Sequence, residues 1–188
     1  VSELFVDSLA RRINAMNQLW QLAVSDMTVE QVNHHERPGV LPIAFSLSHA
    51  IRGQDRTMSQ YFMGQPPLWE REAWAERIGV TVDKAGSGVP VAEMEHLAFA
   101  SLDAWRDYQT AVFDVTGRVL GTLDASALEE VVVSALPPGR SFLVLMYGAG
   151  QAVRKRDALE AWVYQHGLRH LGELEHARSL VGLGGLTG

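Results

Sequence analysis

The stretch that decides the fold is DALEAWVYQHGLRHLGELEHARSLV, residues 157–181. Leu159, Trp162 or Val163, His166, His170, Leu174, Ala177 and Val181 recur at intervals of three or four, the spacing that gathers one face of an α-helix. Asp157 followed by Glu160 resembles a capping box, which predicts a helix start at that point. His166 and His170 stand four apart and therefore point the same way. Their row also holds Leu159, Val163, Leu174 and Val181, so the pair is expected to face the interior.

The same periodicity recurs upstream. Residues 3–24 place Leu4, Leu9, Ile13, Met16, Leu19 or Trp20, and Ala23 on one stripe. Residues 42–63 do the same with Ile43, Leu47, Ile51, Met58 and Phe62, and Phe45 and His49 form a neighbouring row. Pro42 suits the first turn of this helix, where its missing N–H is not needed, and GQPP at 64–67 ends it. A third long helix is expected over 91–120, and short ones over 68–78 and 124–136. Thr28 and Gln31 can form a capping box around a single turn. VTVDKAGSGVP, 80–90, reads as a loop, and FLVLMY, 142–147, as a buried turn or short strand. Four long helices joined by long connections that carry short ones predict an all-α chain. The expected architecture is a four-helix bundle with long crossover connections, forming a single domain over 1–188.

Composition narrows the function. The chain has 188 residues, 47% apolar and 20% charged, which is a globular balance. Its formal net charge is -6, and its only dense basic cluster is Arg154-Lys155-Arg156, so a nucleic-acid surface is not expected. Cysteine is absent. That removes disulfides, thiolate metal sites and cysteine nucleophiles, and it suits a cytoplasmic protein. No apolar run reaches bilayer length, and the charged, periodic N-terminal segment is unlike a signal peptide. Gly-rich phosphate loops, a GxSxG elbow and the carboxylate pairing of sugar hydrolases are all missing.

An imidazole in an apolar row needs a partner, because an unsatisfied buried polar group costs roughly 1–3 kcal/mol. Two rings side by side make a shared metal ion attractive, since neutral imidazole nitrogen is a good ligand for divalent metals. Among the other histidines, His34 and His35 lie beside charged and turn residues, His96 starts the third helix, and His176 falls on the far side of the last. His49, within IAFSLSHAIRG, is the best third ligand. The competing reading makes it a core histidine bonded to a carbonyl or carboxylate. Glu173 shares the face of His166 and His170. It can ligate, orient an imidazole, act as a base, or pair with Arg169. The stretch is not the HExxH of zinc proteases, because Gly167 follows His166. Three histidines leave coordination positions for water or substrate, which suits zinc, nickel or iron in a catalytic role.

With SLSHAIRGQDRTMSQYF at 46–62 and HGLRHLGELEHARSLVG at 166–182, the chain resembles the DinB/YfiT-like family of metal-binding four-helix bundles over about residues 3–182. The resemblance implies a divalent metal, zinc or nickel first and iron third, on His49, His166 and His170. It also implies a homodimer and, for characterised members, S-transferase or isomerase activity with a low-molecular-weight thiol such as bacillithiol or mycothiol. The family's last-helix motif often continues with a second histidine, then Arg and Gly-Gln. This chain has Leu171-Gly172-Glu173 there, the form of thiol-histidine biosynthetic relatives, without their iron-dependent catalytic domain.

The leading expectation is therefore a metal-dependent thiol transferase acting on a small electrophile. Glu173 or Asp55 would orient a ligand or move a proton, and Arg52 would meet a carboxylate of the thiol cofactor. Trp69, Trp74 and Trp105 are either walls of the substrate space or core residues. The alternatives are hydrolysis by metal-bound hydroxide and a non-enzymatic, metal-stabilised bundle that binds small molecules.

Overall fold

A computed structural model describes residues 2–83, 89–139 and 141–186. In chain order it contains α1 (Ser2–Ser25), the single turn α2 (Val29–Val32) and α3 (Ile43–Arg56), which runs directly into a π-helical segment, Thr57–Phe62. The short helices α4 (Leu68–Arg71), α5 (Trp74–Ile78) and α6 (Val91–Met94) precede α7 (Leu102–Thr122). A 3-10 turn (Ala127–Glu129), β1 (Val131–Val133), α8 (Phe142–Tyr147) and β2 (Val153–Arg154) follow. The chain then forms one rod from α9 (Lys155–Asp157) through a second π-helical segment (Ala158–Gln165) to α10 (His166–Leu180).

The long helices pack as a ring. α1 contacts α7 and α10, and α3 contacts the same two. Each turns its apolar stripe inward: Leu9, Ile13, Met16 and Trp20 from α1, Leu47 and Ile51 from α3, Trp105, Tyr108 and Val112 from α7, and Leu171 and Leu174 from α10 are all buried in one cluster. Full burial of a large apolar side chain is worth roughly 1.5–3 kcal/mol, so this cluster dominates the stability. None of the described helices is long and apolar enough to cross a membrane.

Several expectations are corrected. The segment 91–120 is not one helix. Residues 95–101 leave the helical path because tertiary bonds capture their backbone. Asn33 both donates to the Phe99 carbonyl (2.8 Å) and accepts its N–H (2.9 Å), while the Thr81 hydroxyl donates to the His96 carbonyl (2.7 Å) and accepts the Ala98 N–H (2.9 Å). α7 then starts at its own cap, with Ser101 Oγ accepting the Ala104 N–H (3.1 Å).

The region 124–136 is not a helix either. Its valines form β1, which pairs antiparallel with β2, as β-branched residues favour. FLVLMY is neither strand nor buried turn. Ser141 caps it as a helix, in which Leu143 is buried while Leu145 is 79% exposed.

Finally, Asp157 is not the first cap of the last rod. The cap is Arg154, three residues earlier, and Asp157 Oδ2 accepts the Arg154 N–H (2.8 Å) from inside the first turn. Pro42 likewise sits just before α3, at the cap. The Thr28–Gln31 box forms as expected, by reciprocal bonds of 3.3 and 3.0 Å. Of the expected loop 80–90, residues 84–88 lie outside the described residues.

Close approach of α1 to α10 requires a residue without a side chain at 167. A Cβ there would lie 2.5 Å from Met16 Sδ and 2.8 Å from Met16 Cε, and Met16 is buried. Gly167→Ala is expected to lower unfolding free energy by about 1–3 kcal/mol in urea denaturation. Adding Met16→Ala should cost less in that background than in the wild type, because the two changes share one space.

Candidate metal centre

α3 contributes His49 from its middle, and α10 contributes His166 and His170 from its first turns. The rings meet in the contact between those helices. His49 Nε2 and His166 Nε2 are 3.1 Å apart. The ring centroids are 4.9 Å apart for His49–His166, 4.8 Å for His49–His170 and 4.6 Å for His166–His170, all near edge-on. One nitrogen from each ring lies within 4.8 Å of the others. Metal–nitrogen bonds of about 2.0–2.1 Å place adjacent ligand nitrogens roughly 3–3.5 Å apart. The His49–His166 pair already has that spacing.

Two features suit this set to a divalent cation. His170 is buried, and its Nε2 has no hydrogen-bond partner among the described residues. Its other nitrogen, Nδ1, lies 2.6 Å from Glu173 Oε2, so the carboxylate accepts the Nδ1–H and leaves Nε2 with its lone pair aimed inward. Burial is also the first cause that lowers the pKa of His49, to about 4, and that of His166, to about 3; the neighbouring His170 and Arg169 add to it. Both imidazoles are therefore neutral near pH 7, the state that ligates.

Neighbouring residues hold the rings in place. Phe45, one turn before His49, stacks on it at 5.4 Å with planes 7° apart. Gly53, one turn after it, faces His166, and a Cβ there would touch His166 Cε1 at an ordinary 3.4 Å. Both helices contain a π-helical segment beside the site, at 57–62 after His49 and at 158–165 before His166. Such segments often occur at functional sites, where they re-aim side chains by inserting a residue into the helical turn.

The remaining candidates separate clearly. Arg52 lies on a cleft of about 420 Å³ whose walls include His49, His166, Arg56, Trp69 and Trp162. Its guanidinium stacks over the Trp69 ring at 4.0 Å and approaches Asp83 Oδ1 at 3.3 Å. Asp55 is buried and fully engaged. It accepts the Leu68 N–H (2.9 Å), the Trp69 N–H (2.9 Å), the Ser59 hydroxyl (3.0 Å) and the Tyr108 hydroxyl (3.0 Å). Those bonds cap α4 and tie it to α3 and α7, and none goes to a histidine. Burial is the first cause that raises the Tyr108 phenol well above its usual range, followed by the Asp55 charge.

Trp69 lines the cleft, whereas Trp74 packs against Tyr108, and Trp105 against Phe99 and Tyr108, in the core. Trp162 and Tyr61, whose rings meet at 5.4 Å with planes tilted by 38°, are cleft residues that sequence periodicity assigned to no site. Both lie in π-helical segments. His34 pairs with Glu36 at 3.0 Å, His35 and His96 approach Glu95, and His176 is exposed. In the basic cluster, Lys155 meets Glu130 at 2.7 Å, and Arg154 and Arg156 both meet Glu129.

No protein-family model matches the chain, and no curated protein matches it. The fold is similar to a solved structure described as the conserved protein of locus from Enterococcus faecalis, with a TM-score of 0.73 and 17% sequence identity over 93% of this chain and 95% of that one.

The depressed histidine pKa values set a pH dependence. Below pH 6.5 the unfolded, metal-free chain protonates these two rings, while the folded chain resists until about 4 and about 3. Stability is thus unaffected above 6.5 and is lost as pH falls through that window. The urea midpoint of chelator-treated protein should fall from pH 7.5 to 4.5, and the His49→Gln/His166→Gln variant should show a smaller fall. An equal fall in both would contradict the assignment.

Proposed function

We propose that the protein is a divalent-metal-dependent enzyme of the DinB/YfiT-like kind, a four-helix bundle that transfers a low-molecular-weight thiol to a small electrophile. The observation that carries this reading is the convergence of three imidazoles from two helices, one oriented by a carboxylate, beside a cleft that holds two arginines. His49, His166 and His170 would hold the metal through one nitrogen each, with zinc or nickel, and then iron, as the ions suited to imidazole ligands. The ion supplies Lewis acidity that favours the deprotonated form of a thiol at neutral pH.

The chain's own groups do the rest. Glu173 fixes the tautomer and angle of His170 and so acts as a positioning residue. Arg52 and Arg56 bind a carboxylate of the thiol, Arg52 the more firmly because Trp69 holds its guanidinium flat. Trp162 and Tyr61 cover the cleft wall and exclude water. Asp55 receives no proton-transfer role in this reading, because its bonds hold α4 and Trp69 in position. The transfer forms a carbon–sulfur bond, releases the leaving group with its electron pair and sends the S–H proton to solvent. The homodimer and the cytoplasmic setting belong to the same reading.

The test is conjugation of a small thiol to 1-chloro-2,4-dinitrobenzene by protein loaded with zinc or nickel. Turnover should require both thiol and metal and be lost in His170→Ala. Arg52→Gln should raise KM for a carboxylate-bearing thiol by roughly 10–100-fold, the loss expected from a hydrogen bond to a charged group. Glu173→Gln should weaken metal affinity by about 10–100-fold. Ester hydrolysis without thiol, or no turnover across thiols and electrophiles, would contradict the transferase reading.

A further inference from the structure

A second chamber, of about 540 Å³, adjoins the histidines and is used by none of the chemistry above. On α3 it takes Pro42, Ile43 and Phe45, which precede His49; on α10 it takes Glu173, Ala177 and Leu180, which follow His170. The arginine cleft takes Arg52, Gly53 and Arg56 from the other side of His49, and Trp162 and His166 from the other end of the last rod. Rising numbers on α3 thus face falling numbers on the last rod, so the two run antiparallel. Both spaces lie along that one seam, and the three histidines divide it. The two spaces share no lining residue.

The halves are chemically opposed. The arginine cleft offers two guanidinium groups and aromatic faces. The second chamber offers Leu41, Phe45, Ala177, Leu180 and Val181; of its other polar residues, Ser46 is half-buried and His34, Glu36, Arg37 and His176 are exposed. Both spaces reach the histidines directly or through one contact. His49 and His166 line the cleft, whereas the chamber ends on Glu173, 2.6 Å from His170, and on Phe45, stacked on His49. Its size falls within the usual range for small-molecule sites.

We propose that this chamber binds the apolar body of a neutral, small electrophile, the second substrate, with Phe45 and Leu180 as its specificity-determining walls. The proposal rests on the transferase reading, since a two-substrate reaction needs a separate approach to the centre for each partner. Burial of an apolar ligand against these walls is favourable.

The test is a fluorescence titration of the full chain, metal-free and zinc-loaded, with N-phenyl-1-naphthylamine, a neutral apolar probe, with zinc content measured on the same samples. Saturable binding is expected in both forms of the wild type. Ala177→Trp, which fills the chamber, should weaken it by roughly tenfold or more, as should Leu180→Glu. Leu180 is 48% exposed, so its variant keeps the test interpretable if Ala177→Trp misfolds. Arg56→Gln should leave probe binding unchanged. Absence of binding in the wild type, unchanged binding in both chamber variants, or loss only in Arg56→Gln would overturn the proposal. Failure of the probe with full zinc uptake would overturn the chamber alone, and failure of zinc uptake would overturn the transferase reading and with it the substrate role.

Discussion

Three imidazoles meet in the contact between α3 and α10, within a helical ring whose core is mostly apolar. Desolvation there disfavours the charged ring, and a neutral ring still carries one lone pair that needs a partner. Nearby features answer that constraint. Glu173 takes the proton side of His170, and Phe45 covers the face of His49. Gly167 lets Met16 of α1 pack against α10. What is left is a set of imidazole nitrogens close enough together to share one cation.

The part of this that sequence makes legible is the part that obeys simple helical period. The stripes of α1, α3 and the last rod follow from intervals of three and four, and so does the meeting of His166 with His170. His49 could be singled out because it alone among the other histidines lies in an apolar half-turn. Periodicity fails where something other than the helix's own pattern decides. Residues 95–101 look helical, but Asn33 and Thr81, distant in sequence, take their backbone groups. Residues 131–133 form a strand because Val153–Arg154 returns beside them. Trp162 and Tyr61 lie in π-helical segments, which local residue spacing does not announce.

Asp55 illustrates a different limit. From sequence, a carboxylate six residues beyond His49 is a candidate for proton transfer. Its surroundings give it four donors and a place in the scaffold that fixes α4 and Trp69. Trp69 in turn carries Arg52, so this buried carboxylate supports the cleft at one remove. Residue type and proximity identify where ionisable groups gather, and the bonding of each oxygen decides which of them is free to act.

The account stands on the three histidines as a single cation site, and the most direct measurement is metal content per chain after chelation and re-addition of zinc or nickel. Close to one ion per wild-type chain, abolished in both His49→Ala and His166→Ala while each variant remains folded, is the predicted result. A wild-type chain that takes up no ion after re-addition would contradict the account and leave the imidazoles as core residues bonded to one another and to Glu173.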